Sequence, residues 1–293
     1  MIISCSRRTD IPALYSEWFK NRIKAGFCIV PNPFNTNQLS TVSLKKQVVD
    51  AIVFWSKNPE PMLPQIEMLK DKGYIFYFQY TLNNYPKMIE PSLPSLANRL
   101  ETFESLSKML GPWGAVWRYD PIIISSETPY SFHENNFTML CTSLKGMTSR
   151  VVISIVDWYQ KTTRRINENG LTEIDKTEEL PKSKDMLELL ETLAAIAKSY
   201  GLEIQTCAES ENYENLGITK GKCIDDFIIN KLGGTVSYKK DKGQREKCLC
   251  TKSRDIGINN TCTQGCTYCY ATKNNTLARR RYSEHNPESP VLS

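Results

Sequence analysis

No stretch of this 293-residue chain comes near the roughly 18 consecutive apolar residues that a membrane-spanning helix requires. Its first residues, Met-Ile-Ile-Ser-Cys-Ser-Arg-Arg, set no charged region ahead of an apolar stretch, so no secretory signal is expected. A protein with neither feature is expected in the cytoplasm, with no membrane partner. Thiols stay reduced there, so cysteines are expected as ligands or free thiols and not as disulfides. Histidine is scarce. His133 and His285 stand alone, and a lone histidine reads as structural or exposed. A large excess of one charge is also missing: the net charge of +5 permits a nucleic-acid partner without demanding one. The length suits one large α/β domain or two small ones.

Cysteine, in contrast, is plentiful, at ten residues, and it is patterned. From Cys248 to Ala271 the chain reads Cys-Leu-Cys, then Asn-Asn-Thr-Cys-Thr-Gln-Gly-Cys-Thr-Tyr-Cys-Tyr-Ala at its end. Cys262, Cys266 and Cys269 are spaced C-x3-C-x2-C. Three thiolates in one short loop can take three corners of a [4Fe–4S] cluster, which normally has four cysteine ligands, and so leave one iron open. Structural zinc sites also use closely spaced cysteine pairs, and Cys248 with Cys250 could close such a site. Spacing alone leaves both metals open.

Short apolar runs at 2–5, 51–55, 74–80, 115–118, 151–156 and 203–206 read as six buried strands. Helical stretches at 13–25, 62–70, 93–110 and 185–200 lie between them, mostly stopped by glycine. This alternation predicts a parallel α/β sheet. In such folds, chemistry sits at the C-terminal ends of the strands. Those ends are polar here: Ser6-Arg7-Arg8-Thr9-Asp10, Ser56-Lys57-Asn58, Gln79 and Thr81, Arg118 to Pro121, Asp157, and Cys207 to Glu209. Charges this close to apolar runs are costly to bury unless paired or facing a cavity, so a lined pocket is expected.

The cysteine loop resembles the cluster loop of radical S-adenosylmethionine (SAM) enzymes, most closely the spore photoproduct lyase-like branch, which carries the Cys-Tyr-Ala ending. Trp55-Ser56-Lys57-Asn58-Pro59, followed by Glu90-Pro91-Ser92-Leu93-Pro94-Ser95, matches two further segments of that branch in the right order. The whole chain also resembles an uncharacterised bacterial family, a domain of unknown function with a radical-SAM-like cysteine cluster at its C-terminus. Its landmarks are Ser-Arg-Arg-Thr-Asp-Ile-Pro-Ala, Trp-Arg-Tyr-Asp-Pro-Ile and the cysteine block. The resemblance implies a (β/α)6-type partial TIM barrel. A flavodoxin-like open sheet would give the same local pattern. Because the cluster loop here follows all six expected strands, the cluster segment is read as moved to the C-terminus, as in a circular permutation.

The resemblance further implies a [4Fe–4S] cluster on Cys262, Cys266 and Cys269, with SAM chelating the open iron. One electron, from a donor such as flavodoxin or ferredoxin, would cleave SAM to methionine and a 5′-deoxyadenosyl radical. Lys57 is then the candidate for the SAM carboxylate, Arg118 and Asp120 for ribose or substrate, and Tyr268 and Tyr270 for shielding the cluster or touching adenine. The substrate stays undefined, with nucleic acid as one class. The alternative is a zinc-stabilised nucleic-acid-binding protein without redox chemistry.

Cys207, Cys223, Cys248 and Cys250 would supply four thiolates for an auxiliary site, a second [4Fe–4S] cluster or zinc. Cys5, Cys28 and Cys141 read as packing. The chain divides into a barrel over 1–220, a cysteine-rich segment over 221–275 on the barrel mouth, and a polar, solvated tail over 276–293. The charged stretch 161–184 reads as an insertion, with a substrate lid as its functional alternative.

Overall fold

A computed structural model describes residues 1–157, 165 and 179–293. The stretch read as an insertion or lid lies mostly outside these described residues. Ten strands are described. Eight of them, β1 (Ile2–Cys5), β4 (Ala51–Ser56), β5 (Phe76–Thr81), β6 (Ala115–Ile122), β7 (Arg150–Ile155), β8 (Glu203–Thr206), β9 (Thr219–Lys220) and β10 (Ser253–Asp255), form one sheet in the order β10-β1-β4-β5-β6-β7-β8-β9. Every pairing in it is parallel. The remaining two, β2 (Phe27–Pro31) and β3 (Leu39–Ser43), make a separate antiparallel hairpin.

All six strands expected from the sequence form, and they lie side by side in chain order. A flavodoxin-like sheet reverses direction near its first strand, so this order sets that alternative aside. Besides the hairpin strands β2 and β3, two strands of the main sheet were not anticipated. One is β9, with two residues. The other is β10, Ser-Arg-Asp, which has no apolar signal and pairs with β1 through Ile2 opposite Ser253.

The helices are α1 (Ile11–Leu14), α2 (Ser16–Ala25), α3 (Leu63–Asp71), α4 (Leu96–Leu110), α5 (Tyr130–Ser143), α6 (Lys184–Ser199), α7 (Asp226–Lys231) and α8 (Asn275–Ser283). Ser95 caps α4 by accepting from the Asn98 N–H, and Ser183 caps α6 through Met186. The single helix expected at 13–25 is two, broken at Tyr15, whose φ is −136°. Gly26, with φ +78°, closes α2 in the left-handed geometry that glycine adopts without strain. The sequence reading omitted α5, because its Asn, Thr, Ser and Cys residues blur the apolar stripe.

The strand alternation sorts the core into two layers. Ile3, Ile52, Phe54, Phe78, Trp117 and Ile153 face Trp18, Phe19, Leu106, Phe137 and Leu193 on the helices. Ile2, Val53, Tyr77, Val116 and Val152 face the other way. That second face is covered by the chain between β9 and β10, through Cys223, Ile224, Ile228, Ile229, Cys248 and Cys250. The cysteine-rich segment therefore lies across the sheet face as well as at its end. Cys5, Cys28 and Cys141 are fully buried core residues.

The solvated-tail reading is corrected. Ala278 and Leu292 are fully buried, the Trp18 indole donates to the Ser289 carbonyl at 2.9 Å, and the Ile29 N–H donates to Pro290 at 2.8 Å. Backbone hydrogen bonds and two apolar anchors outweigh the polar composition. His285 stands edge-on to Tyr15, with ring centroids 4.8 Å apart.

His133 is fully buried between β6 and α5. Its Nε2–H donates to the Ile123 carbonyl at 2.9 Å, so its Nδ1 accepts from the Tyr119 hydroxyl at 2.8 Å. Burial pushes the imidazole from 6.5 down to about 4. A depressed histidine stabilises the fold fully above pH 6.5 and loses that contribution as pH falls toward 4. The loss should be roughly 3 kcal/mol at about 1.36 kcal/mol per pH unit. Urea unfolding of the wild type and of His133→Gln at pH 7 and pH 4.5 checks this. The variant should be less stable at pH 7 and should lack this part of the acid sensitivity.

Candidate functional site

The C-terminal ends of the parallel strands open into a cavity of about 420 Å³, within the roughly 300–1,000 Å³ of small-molecule sites. The polar strand ends line one side of it: Ser6 to Asp10, Ser56 and Lys57, Thr81, Arg118 and Asp120, Asp157, and Cys207. The cysteine loop lines the other with Cys262, Gln264, Cys266, Tyr268, Cys269 and Tyr270. Cys223, Cys248 and Cys250 complete the wall, so all seven cysteines singled out as ligands border one space.

Asp10 ties the strands to the loop. Its buried carboxylate accepts from the Ala13 N–H (3.1 Å), the Ser56 hydroxyl (2.7 Å), the Lys57 N–H (2.8 Å) and the Gln264 amide (3.5 Å). Burial raises its pKa, and these four donors oppose the rise. Asp255 at the end of β10 makes a similar knot, accepting from Ser4, Ser6, the Arg7 N–H and the Gly257 N–H. Gly257 permits this approach, since a Cβ there would lie 1.9 Å from the Ser6 hydroxyl oxygen. The Thr267 N–H donates to the Ile89 carbonyl at 3.0 Å, fixing the loop from its other side.

Two segments that carry the resemblance meet here. The Lys57 ammonium donates to Glu90 at 2.8 Å and to the Tyr268 hydroxyl at 2.6 Å, and Tyr268 donates to the same Glu90 oxygen. Glu90 is 2 % exposed, and its second oxygen lies 3.8 Å from Arg99. Lys57 thus faces the cavity with two of its three donors engaged. Burial lowers the Lys57 pKa, but Glu90 and Cys266 more than restore it. Tyr270 is half exposed at the rim, its hydroxyl donating to the Arg7 carbonyl at 2.7 Å.

Arg118 and Asp120, expected to hold ribose or substrate, are paired with each other. The Arg118 Nε donates to Asp120 at 3.0 Å and Nη2 reaches the same oxygen, while Ser154 donates to the other. Burial opposes the charge on Asp120, but Arg118 outweighs it and holds the carboxyl below its usual range. The Arg118 Nη1 donates to the Cys223 sulfur at 2.8 Å and to the Gln79 side-chain oxygen at 3.4 Å. The guanidinium is therefore directed to the thiols.

Those thiols form a chain of contacts. The Cys207 and Cys223 sulfurs are 3.0 Å apart. Cys223, Cys248 and Cys250 pack in one buried cluster, with Cys207 against it. The interaction between Cys207 and Cys223 brings Cys207 down to about 7 and pushes Cys223 up, and the interaction of Cys250 with Cys223 and Cys248 lowers Cys250 while Cys248 is raised. In the loop, burial pushes Cys262 up to about 12 and raises Cys266 as well. A coordinated metal would reverse this, since it deprotonates its thiols outright. The donor set therefore fits a thiolate-bound metal or cluster, although among the described residues no group of three or more His, Cys, Asp and Glu is already set out around a metal position.

These features define an α/β protein with a cysteine-lined cavity at the C-terminal edge of a parallel sheet. Residues 2–271 match the family described as a domain of unknown function, DUF1848, and the chain belongs to that family. No curated protein matches it. Two participants carried no separate signal in the sequence: Glu90, quoted only as part of a motif, and Asp255 on the short strand β10.

Glu90 compensates two cations at once. Glu90→Gln leaves the ammonium of Lys57 and the guanidinium of Arg99 without a counter-charge, which should cost about 3 kcal/mol. Denaturant midpoints of variant and wild type measure it, and a loss under about 1 kcal/mol would show the pairs to be water-screened.

Proposed function

We propose that this chain is a radical SAM enzyme in which Cys262, Cys266 and Cys269 hold a [4Fe–4S] cluster and the adjoining cavity receives SAM. The observation that carries the reading is that all three thiols line the strand-end cavity, together with polar residues from the ends of five successive strands of the sheet. A cluster held by these three thiols would supply the one-electron reduction that cleaves the SAM sulfonium to methionine and a 5′-deoxyadenosyl radical, the chemistry implied by the loop's resemblance to that superfamily.

Strand order supports the same reading. The loop emerges from β10, and β10 lies parallel beside β1. From that edge, the sheet runs strand, cluster loop, α8, then β1 and its successors. We read this eight-stranded sheet as a (β/α)-type partial barrel with the chain opened after its first unit, a circular permutation. The cluster loop then follows the first strand in space although it comes late in sequence.

The chain's own residues have separable tasks in this proposal. Asp10 and Thr267 fix the loop, and Tyr268 shields it by packing against Tyr85, Ile89 and Ile123. Lys57 offers its third donor to the SAM carboxylate. Arg118 and Asp120 stabilise the wall and do not grip the ligand. A small electron-donor protein such as flavodoxin or ferredoxin is required, and the hydrogen donor is a substrate whose class is left open.

Anaerobic protein reconstituted with iron and sulfide, then given dithionite and SAM, should release 5′-deoxyadenosine. Joint replacement of Cys262, Cys266 and Cys269 by Ala should abolish it, and normal release by that variant overturns the assignment. Colourless protein with stoichiometric zinc would favour the zinc-stabilised nucleic-acid-binding reading instead. Lys57→Ala should keep its iron yet bind SAM about tenfold or more weakly, since a hydrogen bond to a charged group contributes roughly 1.5–3 kcal/mol. Unchanged affinity would confine Lys57 to its pairing with Glu90.

A further inference from the structure

Four cysteines outside the loop come from three separate segments: Cys207 just past β8, Cys223 just past β9, and Cys248 with Cys250 just before β10. The fold brings them into one cluster against the sheet, with the Cys207 and Cys223 sulfurs 3.0 Å apart. Chance packing of small apolar side chains does not account for their surroundings. The Arg118 guanidinium donates to the Cys223 sulfur at 2.8 Å, and the Ile224 N–H donates to the Cys250 sulfur at 3.4 Å. Arg7 lies in the field of Cys250, and its Nη2 is buried with no hydrogen-bond partner. The Cys223 and Cys250 sulfurs thus accept hydrogen bonds, beside one buried and one partly buried arginine.

We propose that Cys207, Cys223, Cys248 and Cys250 bind one metal centre through four thiolates, with Arg118 and Arg7 as its charge partners. The chemical class is a soft, thiolate-ligated centre, either a single zinc ion or an iron–sulfur cluster. A zinc ion with four thiolates, or a [4Fe–4S]²⁺ cluster with the same four, carries about two negative charges. Two guanidiniums offset that charge where water is largely excluded. Ligands bonded at about 2.3 Å to one tetrahedral ion stand about 3.8 Å apart. The Cys207 and Cys223 sulfurs would therefore separate by less than about 1 Å for zinc, and further for a cluster.

The site also has a mechanical consequence. Its ligands lie at both ends of the segment that crosses from β9 at one sheet edge to β10 at the other. A metal there clips that cover in place, directly beside the cavity that the cysteine loop also lines. This inference stands on the geometry of the four thiols and does not rest on the radical SAM reading.

The test uses the full chain with Cys262, Cys266 and Cys269 changed to Ala. Cys5, Cys28 and Cys141 are packed in the helical core, so the four thiols are then the remaining cysteine ligands. After anaerobic treatment with zinc alone, or with iron and sulfide, the variant should hold about one zinc, or about four iron with matching sulfide, per chain. Either result supports the site, and the pair of treatments identifies the centre. A folded variant that stays metal-free after both treatments overturns it. Should this variant fail to fold, native wild-type protein serves. Chelation should expose four thiols to a chromogenic disulfide, or seven where Cys262, Cys266 and Cys269 also hold a cluster, and release the metal in parallel; release with no gain, or a gain of only three, overturns the site. If the wild type makes no 5′-deoxyadenosine but the triple variant binds metal, this site stands while the radical SAM reading falls.

Discussion

A parallel sheet must be covered on both faces, because each of its strands presents apolar side chains in both directions. That constraint organises this protein. Helices α2 to α6 serve one face. The other face, with Ile2, Val53, Tyr77, Val116 and Val152, would be left bare without the chain between β9 and β10. The Tyr77 hydroxyl and the Gln79 amide both donate to the Cys223 carbonyl, at 2.6 and 2.8 Å, so the cover is fastened by polar groups on the sheet itself. In crossing, the cover carries three of the auxiliary thiols inward and delivers the chain to β10, from which the cysteine loop emerges. Covering the sheet and building the cavity are thus one structural event.

Charge in the cavity wall is arranged in closed sets. Lys57, Glu90 and Arg99 form one, with Tyr268 attached. Arg118, Asp120 and Ser154 form another, extended to Cys223. Removing water from an ion costs several kcal/mol, which only close partners offset. Pairing has a functional corollary: a side chain held this way makes a rigid wall but a poor adjustable ligand. Arg118 illustrates it. At the end of the strand expected over 115–118 it reads as a grip for ribose or substrate, yet it lies inside β6 and its donors go to Asp120, Gln79 and a thiol.

Much of the fold was legible in the sequence. Six strands stood out because Val, Ile, Phe and Tyr runs buried on both faces leave an unmistakable signal. The same logic explains what was missed. Ser253-Arg254-Asp255 has no apolar residue and becomes a strand only because β1 offers a bare parallel edge. The tail was misjudged because two buried side chains, Ala278 and Leu292, are too few to alter its composition. The polar strand ends predicted a lined cavity correctly, since unpaired charges beside buried runs have few other places to go. What could not be read was the pairing within that set, as Glu90 and Lys57 are 33 residues apart.

The two cysteine groups show why one kind of site is easier to read than the other. Cys262, Cys266 and Cys269 lie on a single loop, so their spacing already limits how far their sulfurs can separate. Nothing comparable joins Cys207 to Cys250, whose meeting requires β8, β9, the cover and β10 all to be in place. A local group can gather ligands before the sheet is complete, whereas the non-local group exists only in the finished fold. Contacts of such long sequence separation are made late and at a larger cost in chain entropy. A metal on the non-local group would bind the folded chain in preference to the unfolded one, and so would stabilise the cover that β10 and the cysteine loop depend on. The geometry of the cavity would then be coupled to occupancy of a site that does not itself need to touch the substrate.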